Sequence, residues 1–179
     1  TSIRRERPDQ FDGLRRSSLR WSARSAVVLL VLTPLFYLAI PLLYGGGGIG
    51  QVAASRWKTQ VNENAKAPAF ANTLPELCHN EIAGWGQHGD MTRQVFSLVN
   101  LRHEHEHPQV MKRFELVNQW TEEVMSDVHE VQAEGDGALA QLLALITFGD
   151  FVSLHLAFQE GVDPGPVPVL DEIKAALTD

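Results

Sequence analysis

The residues best suited to chemistry lie in one stretch of 25, VNENAKAPAFANTLPELCHNEIAGW, residues 61–85. It sets a carboxylate (Glu63), an ammonium (Lys66) and an imidazole (His79) among the amides Asn62, Asn64 and Asn80. Such groups accept, hold and return protons, and imidazole does so near neutral pH. Each also has a plain structural reading. A glutamate late in a helix is normally solvated, a lysine there complements the helix C-terminus, and a histidine beside a proline-started turn caps it. Cys78 next to His79 suggests a thiol nucleophile, but adjacent residues rarely point at one another.

Two further stretches raise chemical readings. Gly45-Gly-Gly-Gly-Ile-Gly50 precedes a helical pattern, so Gly46 and Gly47 could let a phosphate approach a helix N-terminus. The run lacks the Lys-Ser/Thr of a P-loop and the spacing of a GxGxxG fingerprint. In RHEHEH, residues 102–107, a strand would turn His103, His105 and His107 to one face, a zinc-like set. The competing reading is a polar loop tip before Pro108, and the expectation is no metal and no cofactor.

The elements that must position these residues alternate in type. Residues 26–44 are nearly all apolar, with Pro34 and Pro41 interrupting the run. Such a run is long enough to span a membrane, and the arginines before it would orient it. A buried helix followed by a buried parallel strand has the same composition. A helix follows over 51–66, then a short extended segment at 68–73 and a helical turn at 75–84. Residues 94–101 read as a strand. Residues 108–126 read as an amphipathic helix with Val110, Phe114, Val117 and Val124 on one face. A half-buried strand over 127–133 and a long apolar helix over 138–159 come next. Gly161 stops that helix, a proline-rich turn begins at Asp163-Pro164, and a last helix covers 170–177. Strands alternating with helices predict a three-layer αβα domain with a mostly parallel sheet.

The totals narrow the class. A chain of 179 residues with a formal charge of −7 has a real core and no overall basic footprint for nucleic acid. One cysteine excludes an internal disulfide and fits a reducing, cytoplasmic setting. Seven of the 15 Lys+Arg residues fall in residues 1–25, which read as a linker or the remnant of an upstream domain.

Several of these stretches together resemble a known family. IPLLYGGGG, VNENAK, LPELCHNEIAGW, LITFGDFVSLHLAFQEG and GVDPGPVPVLDEIKAAL, in that order over residues 40–179, are similar to the C-terminal half of bifunctional phosphoglucose/phosphomannose isomerases. These enzymes are built of SIS (sugar isomerase) domains, so residues 26–179 are expected to form one. The resemblance implies interconversion of glucose 6-phosphate and fructose 6-phosphate, with mannose 6-phosphate as a second substrate. It implies that Glu63 is the base moving a proton between C1 and C2, and that His79 and Lys174 assist ring opening. It further implies a homodimer in which the histidine reaches the site of the partner subunit. The residue types agree: one carboxylate can serve both carbons of a planar cis-enediol, and Asn62, Asn64 and Asn80 could donate to its oxygens.

Two departures from the family pattern bear on function. The other SIS half, with its GGSG-like turn and SYSGNT-like phosphate loop, has no counterpart in these residues, and remote phosphate binding normally assists the chemical step. Val167 stands before Pro168 where some members have threonine, which bears on mannose 6-phosphate. Two other functions are therefore carried as alternatives: a sugar-phosphate-binding module without turnover, and a membrane-anchored interaction domain using residues 26–44.

Overall fold

The computed structural model of the chain describes residue 36 and residues 38–178. The arginine-rich segment 1–25 and most of the first half of the apolar run lie outside the described residues. The second half of that run forms strand β1 (Ile40–Gly46). Helix α1 (Gly47–Asn64), β2 (Phe70–Leu74), a 3₁₀ turn (Glu76–His79) and the short helix α2 (Glu81–Gly84) follow. Then come α3 (Gly89–Val95), β3 (Phe96–Arg102), α4 (Pro108–Thr121) and β4 (Asp127–Gln132). Helices α5 (Ala138–Glu160) and α6 (Pro168–Ala176) complete the described chain.

The four strands form one parallel sheet in the order β2-β1-β3-β4. Side chains alternate along a strand, so each strand feeds two cores. Leu43, Val99, Leu101 and Val131 face Trp57 and Val61 of α1 and Leu145, Phe148, Val152 and Leu156 of α5. Leu42, Tyr44 and Leu98 face Leu74, Leu77, Met125 and the α4 residues Val110, Phe114 and Val117. The result is the three-layer αβα arrangement that the alternation of elements predicts. Pro41 is tolerated in the central strand because β1 is paired there with β3 alone; its ladder with β2 begins at Leu42.

Two glycines permit close approaches. A Cβ on Gly45 would stand 1.9 Å from the Gly50 carbonyl oxygen, where β1 turns into α1. A Cβ on Gly149 would stand 2.2 Å from the Trp57 ring, where α1 and α5 cross. The Trp57 indole also donates to the Leu145 carbonyl at 2.7 Å.

Several boundaries differ from expectation. Helix α1 starts at Gly47, so the glycines form its first turn rather than a loop before it. Residues 94 and 95 belong to α3, and β3 begins at Phe96. Helix α4 ends at Thr121, and Met125 in the following turn fills the core. Among the described residues one helix, α5, is long and apolar enough to cross a membrane. One face of it packs against α1, with Val152 and Leu156 fully buried, and Leu139, Leu143 and Phe158 are exposed.

Candidate active site

In a parallel sheet with right-handed crossovers, each strand runs toward one edge and the following helix returns to the other. That rule places the candidate residues at two opposite edges. Gly46 and Gly47 stand at the carboxyl edge, where β1 meets α1, and His79 and Asn80 follow β2 at the same edge. Asn62, Glu63 and Asn64 end α1 and lie at the amino edge. An 18-residue helix separates Gly47 from Asn64, which at the usual rise is about 27 Å. One chain therefore does not bring Glu63 and His79 together.

Glu63 is exposed, while its neighbours on both sides are tied down. Asn62 donates from Nδ2 to the Ala67 carbonyl at 2.9 Å, folding the chain back after the helix. Asn64 donates from Nδ2 to Ser153 Oγ of α5 at 2.8 Å and to Gln60 Oε1 at 3.2 Å. Lys66 adopts a left-handed backbone conformation, φ 55°, just past the helix end. Its ammonium donates to the Glu63 carbonyl at 2.6 Å and to the Pro164 carbonyl at 3.3 Å, joining this end of α1 to the turn after α5. The amides of Asn62 and Asn64 thus help to hold the helix end; Asn64 places both of its N–H groups within the chain, and Asn62 places one.

The segment carrying His79 is anchored differently. Leu77 is buried in the core, while His79 and Asn80 are exposed. Asn80 accepts from the Glu81 backbone N–H at 2.6 Å, capping α2. The Glu81 carboxylate accepts hydrogen bonds from the Tyr44 hydroxyl of β1 and the Asn72 amide of β2. The Trp85 indole donates to the Tyr44 oxygen at 3.0 Å and packs edge-on against Phe96 of β3. Burial, then the hydrogen bond to Glu81, push the Tyr44 phenol far above the ordinary tyrosine range, so it stays protonated as a donor. Burial also raises the Cys78 thiol, with Arg113 opposing, so it is protonated at neutral pH rather than a nucleophilic thiolate. Sequence reading missed Glu81, Tyr44 and Asn72; the one signal was that Glu81 lies two residues beyond His79.

The remaining candidates separate. Lys174 is exposed on α6 and meets Asp171 at 3.6 Å. Helix α6 buries none of its residues, and Val169, Ile173 and Leu177 are exposed. Gly46 ends β1 inside the structure, and its carbonyl accepts from His103 Nε2 at 2.9 Å. Gly47 and Gly48 are exposed. The histidine run does not continue the strand, which ends at Arg102. His103 is buried against Gly46, His105 is exposed, and His107 accepts from the Gln109 N–H to cap α4. The His103 and His105 rings lie 6.5 Å apart, while His107 caps α4, so the three do not form the single-faced set that a strand would give.

Residues 35–177 match the family described as the bacterial phospho-glucose isomerase C-terminal SIS domain. A bifunctional phosphoglucose/phosphomannose isomerase of Caldicellulosiruptor bescii is 35% identical over 148 residues, which cover 83% of this chain and 43% of that protein. The Aquifex aeolicus protein of the same name is 35% identical over 79% of this chain and 43% of its own length. The chain thus spans less than half of these curated relatives. A glucose-6-phosphate isomerase-like protein from Thermus thermophilus shares the fold, with a TM-score of 0.62 and 20% identity over 81% of this chain and 46% of that one.

Proposed function

The chain belongs to the bacterial phospho-glucose isomerase C-terminal SIS domain family, and we propose that it supplies the proton-transfer half of an aldose–ketose isomerase acting on a hexose 6-phosphate. Glu63 is the base that moves a proton between C1 and C2 through a cis-enediol. His79 and Lys174 take part in opening the sugar ring, one of them receiving the O1 proton while the other gives a proton to O5. The observation that carries this reading is the treatment of Glu63. Its side chain is exposed to a ligand while Asn62, Asn64 and Lys66 fix the backbone on either side. A surface glutamate with no task has no need of neighbours held to three separate partners. A base must be held within hydrogen-bond reach of a weakly acidic carbon, and that demands such support.

The separation of Glu63 from His79 favours an active unit in which they come from two copies of the chain. The relatives' additional length favours a second half that grips the phosphate, with Asn80 and the Gly46–Gly47 turn placed on the His79 side. The test is solvent-deuterium incorporation at C1 of fructose 6-phosphate and at C2 of the glucose 6-phosphate formed from it. Wild type is expected to incorporate label, and Glu63→Gln is expected to lose about 10²–10⁴-fold of that rate. Ligand-induced stabilisation without incorporation in wild type would favour the non-catalytic binding module instead.

A further inference from the structure

We infer that Glu81 is a positioning residue for His79, an inference that rests on the isomerase reading above for the task of that histidine. His79 ends a four-residue 3₁₀ turn and is itself exposed, so its own side chain makes no anchor. Two attachments hold the segment. Behind it, Leu77 enters the core beneath β1 and β3. Ahead of it, Glu81 begins α2, and its two carboxylate oxygens take hydrogen bonds from different strands. One comes from Tyr44 in β1, whose ring is fully buried; the other comes from Asn72 in β2. Trp85 closes the arrangement by donating to the same Tyr44 oxygen, which therefore both gives and receives.

A half-buried carboxylate carries a desolvation penalty unless it is well supplied with donors. Here both donors belong to the sheet, so the carboxylate is bonded only when the segment 76–85 sits in one place. Asn80 couples this to His79 directly, because its side chain caps the Glu81 N–H and thereby fixes the backbone between the two residues. A hydrophobic side chain at 81 would leave the buried Tyr44 hydroxyl and the half-buried Asn72 amide without that acceptor, and would leave His79 attached through Leu77 alone.

The test uses the full-length protein and reads the His79 imidazole by NMR, assigned through its loss in His79→Ala. Wild type is expected to give one narrow resonance. Glu81→Ala is expected to shift and broaden it while leaving the resonances of His103 and His107 in place. Glu81→Gln keeps an acceptor for Tyr44 but turns an amide toward Asn72, so it should fall between the two. Tyr44→Phe removes one donor without opening a cavity, and should move His79 in the same direction should Glu81→Ala fail to fold. An unmoved His79 signal in both Glu81→Ala and Tyr44→Phe overturns the inference.

A kinetic arm separates positioning from general support. A four-carbon aldose 4-phosphate cannot close a furanose ring, because its O4 is esterified, so it needs no ring opening. Glu81→Gln should lower turnover of the hexose 6-phosphate severalfold and leave proton exchange on the tetrose phosphate close to wild type. Equal losses on both substrates overturn the inference. Absence of exchange by wild type on either substrate counts against the base reading of Glu63, and the NMR result then decides the role of Glu81 by itself.

Discussion

Lys66 shows how one side chain can serve two ends. A non-glycine residue in the left-handed region costs about 1 kcal/mol or more, and Lys66 stands there at φ 55°. Its ammonium recovers part of that cost at the helix C-terminus, where cations contribute about 0.3–1 kcal/mol. Lys66→Gly removes strain and clamp together, so stability should change by less than about 1 kcal/mol in a urea titration. Deuterium exchange at C2 should nonetheless fall severalfold, because the Glu63 carbonyl and the Pro164 turn are no longer tied. Equal exchange rates in the two proteins would mean that the clamp does not serve the base. Glu63 could be picked out in the sequence because it stands in the VNENAK run that carries the family resemblance, and Lys66 because it stands near the expected helix end. Glu81 could not, since its tie to Tyr44 spans 37 residues and depends on the register of β1 against β2. The structural ties of Asn62 and Asn64 were hidden for a related reason: they depend on the chain after the helix folding back and on α5 lying alongside.

At the level of elements, the crossing of α1 and α5 holds the Glu63 edge in place. Arg56 pairs with Asp150 at 3.1 Å across it, and Asn64 reaches Ser153 one turn further on. Its centre is Trp57 against the bare backbone of Gly149. Gly149→Ala should destabilise by about 1–3 kcal/mol through overpacking. Trp57→Phe should cost a similar amount, about 1–3 kcal/mol, through lost volume and the lost bond to the Leu145 carbonyl. The double variant should be more stable than the sum of the two losses predicts, since Phe removes the pyrrole atoms that the new Cβ meets. Strict additivity in urea denaturation would count against this packing account. The long helices and the buried strands were legible from period and composition. Helix α3 was not, because none of its seven residues is buried and no apolar face marks it. The start of α1 was also missed, since four consecutive glycines read as a loop and only the sheet explains why a helix begins among them.

For the whole molecule, the decisive feature is that Glu63 and His79 lie at opposite edges of one sheet, separated by the length of α1. The helix is far longer than a hexose phosphate, so one chain cannot present both residues to one sugar. A symmetric pair of chains can, since two-fold symmetry lets one chain's carboxyl edge meet its partner's amino edge in two equivalent sites. Mixing tests this without any structural probe. Glu63→Gln and His79→Ala are each expected to be nearly inactive alone. When the two are unfolded together and refolded as a mixture, half of the dimers carry one chain of each kind. In such a dimer one site joins the wild-type Glu63 of one chain to the wild-type His79 of the other, and the second site holds both substitutions. Activity should therefore return to about a quarter of the wild-type value, the share of sites restored by random pairing of a two-fold dimer. If both residues instead served a site within one chain, no mixed dimer would hold an intact pair and the mixture would stay as inactive as its parts.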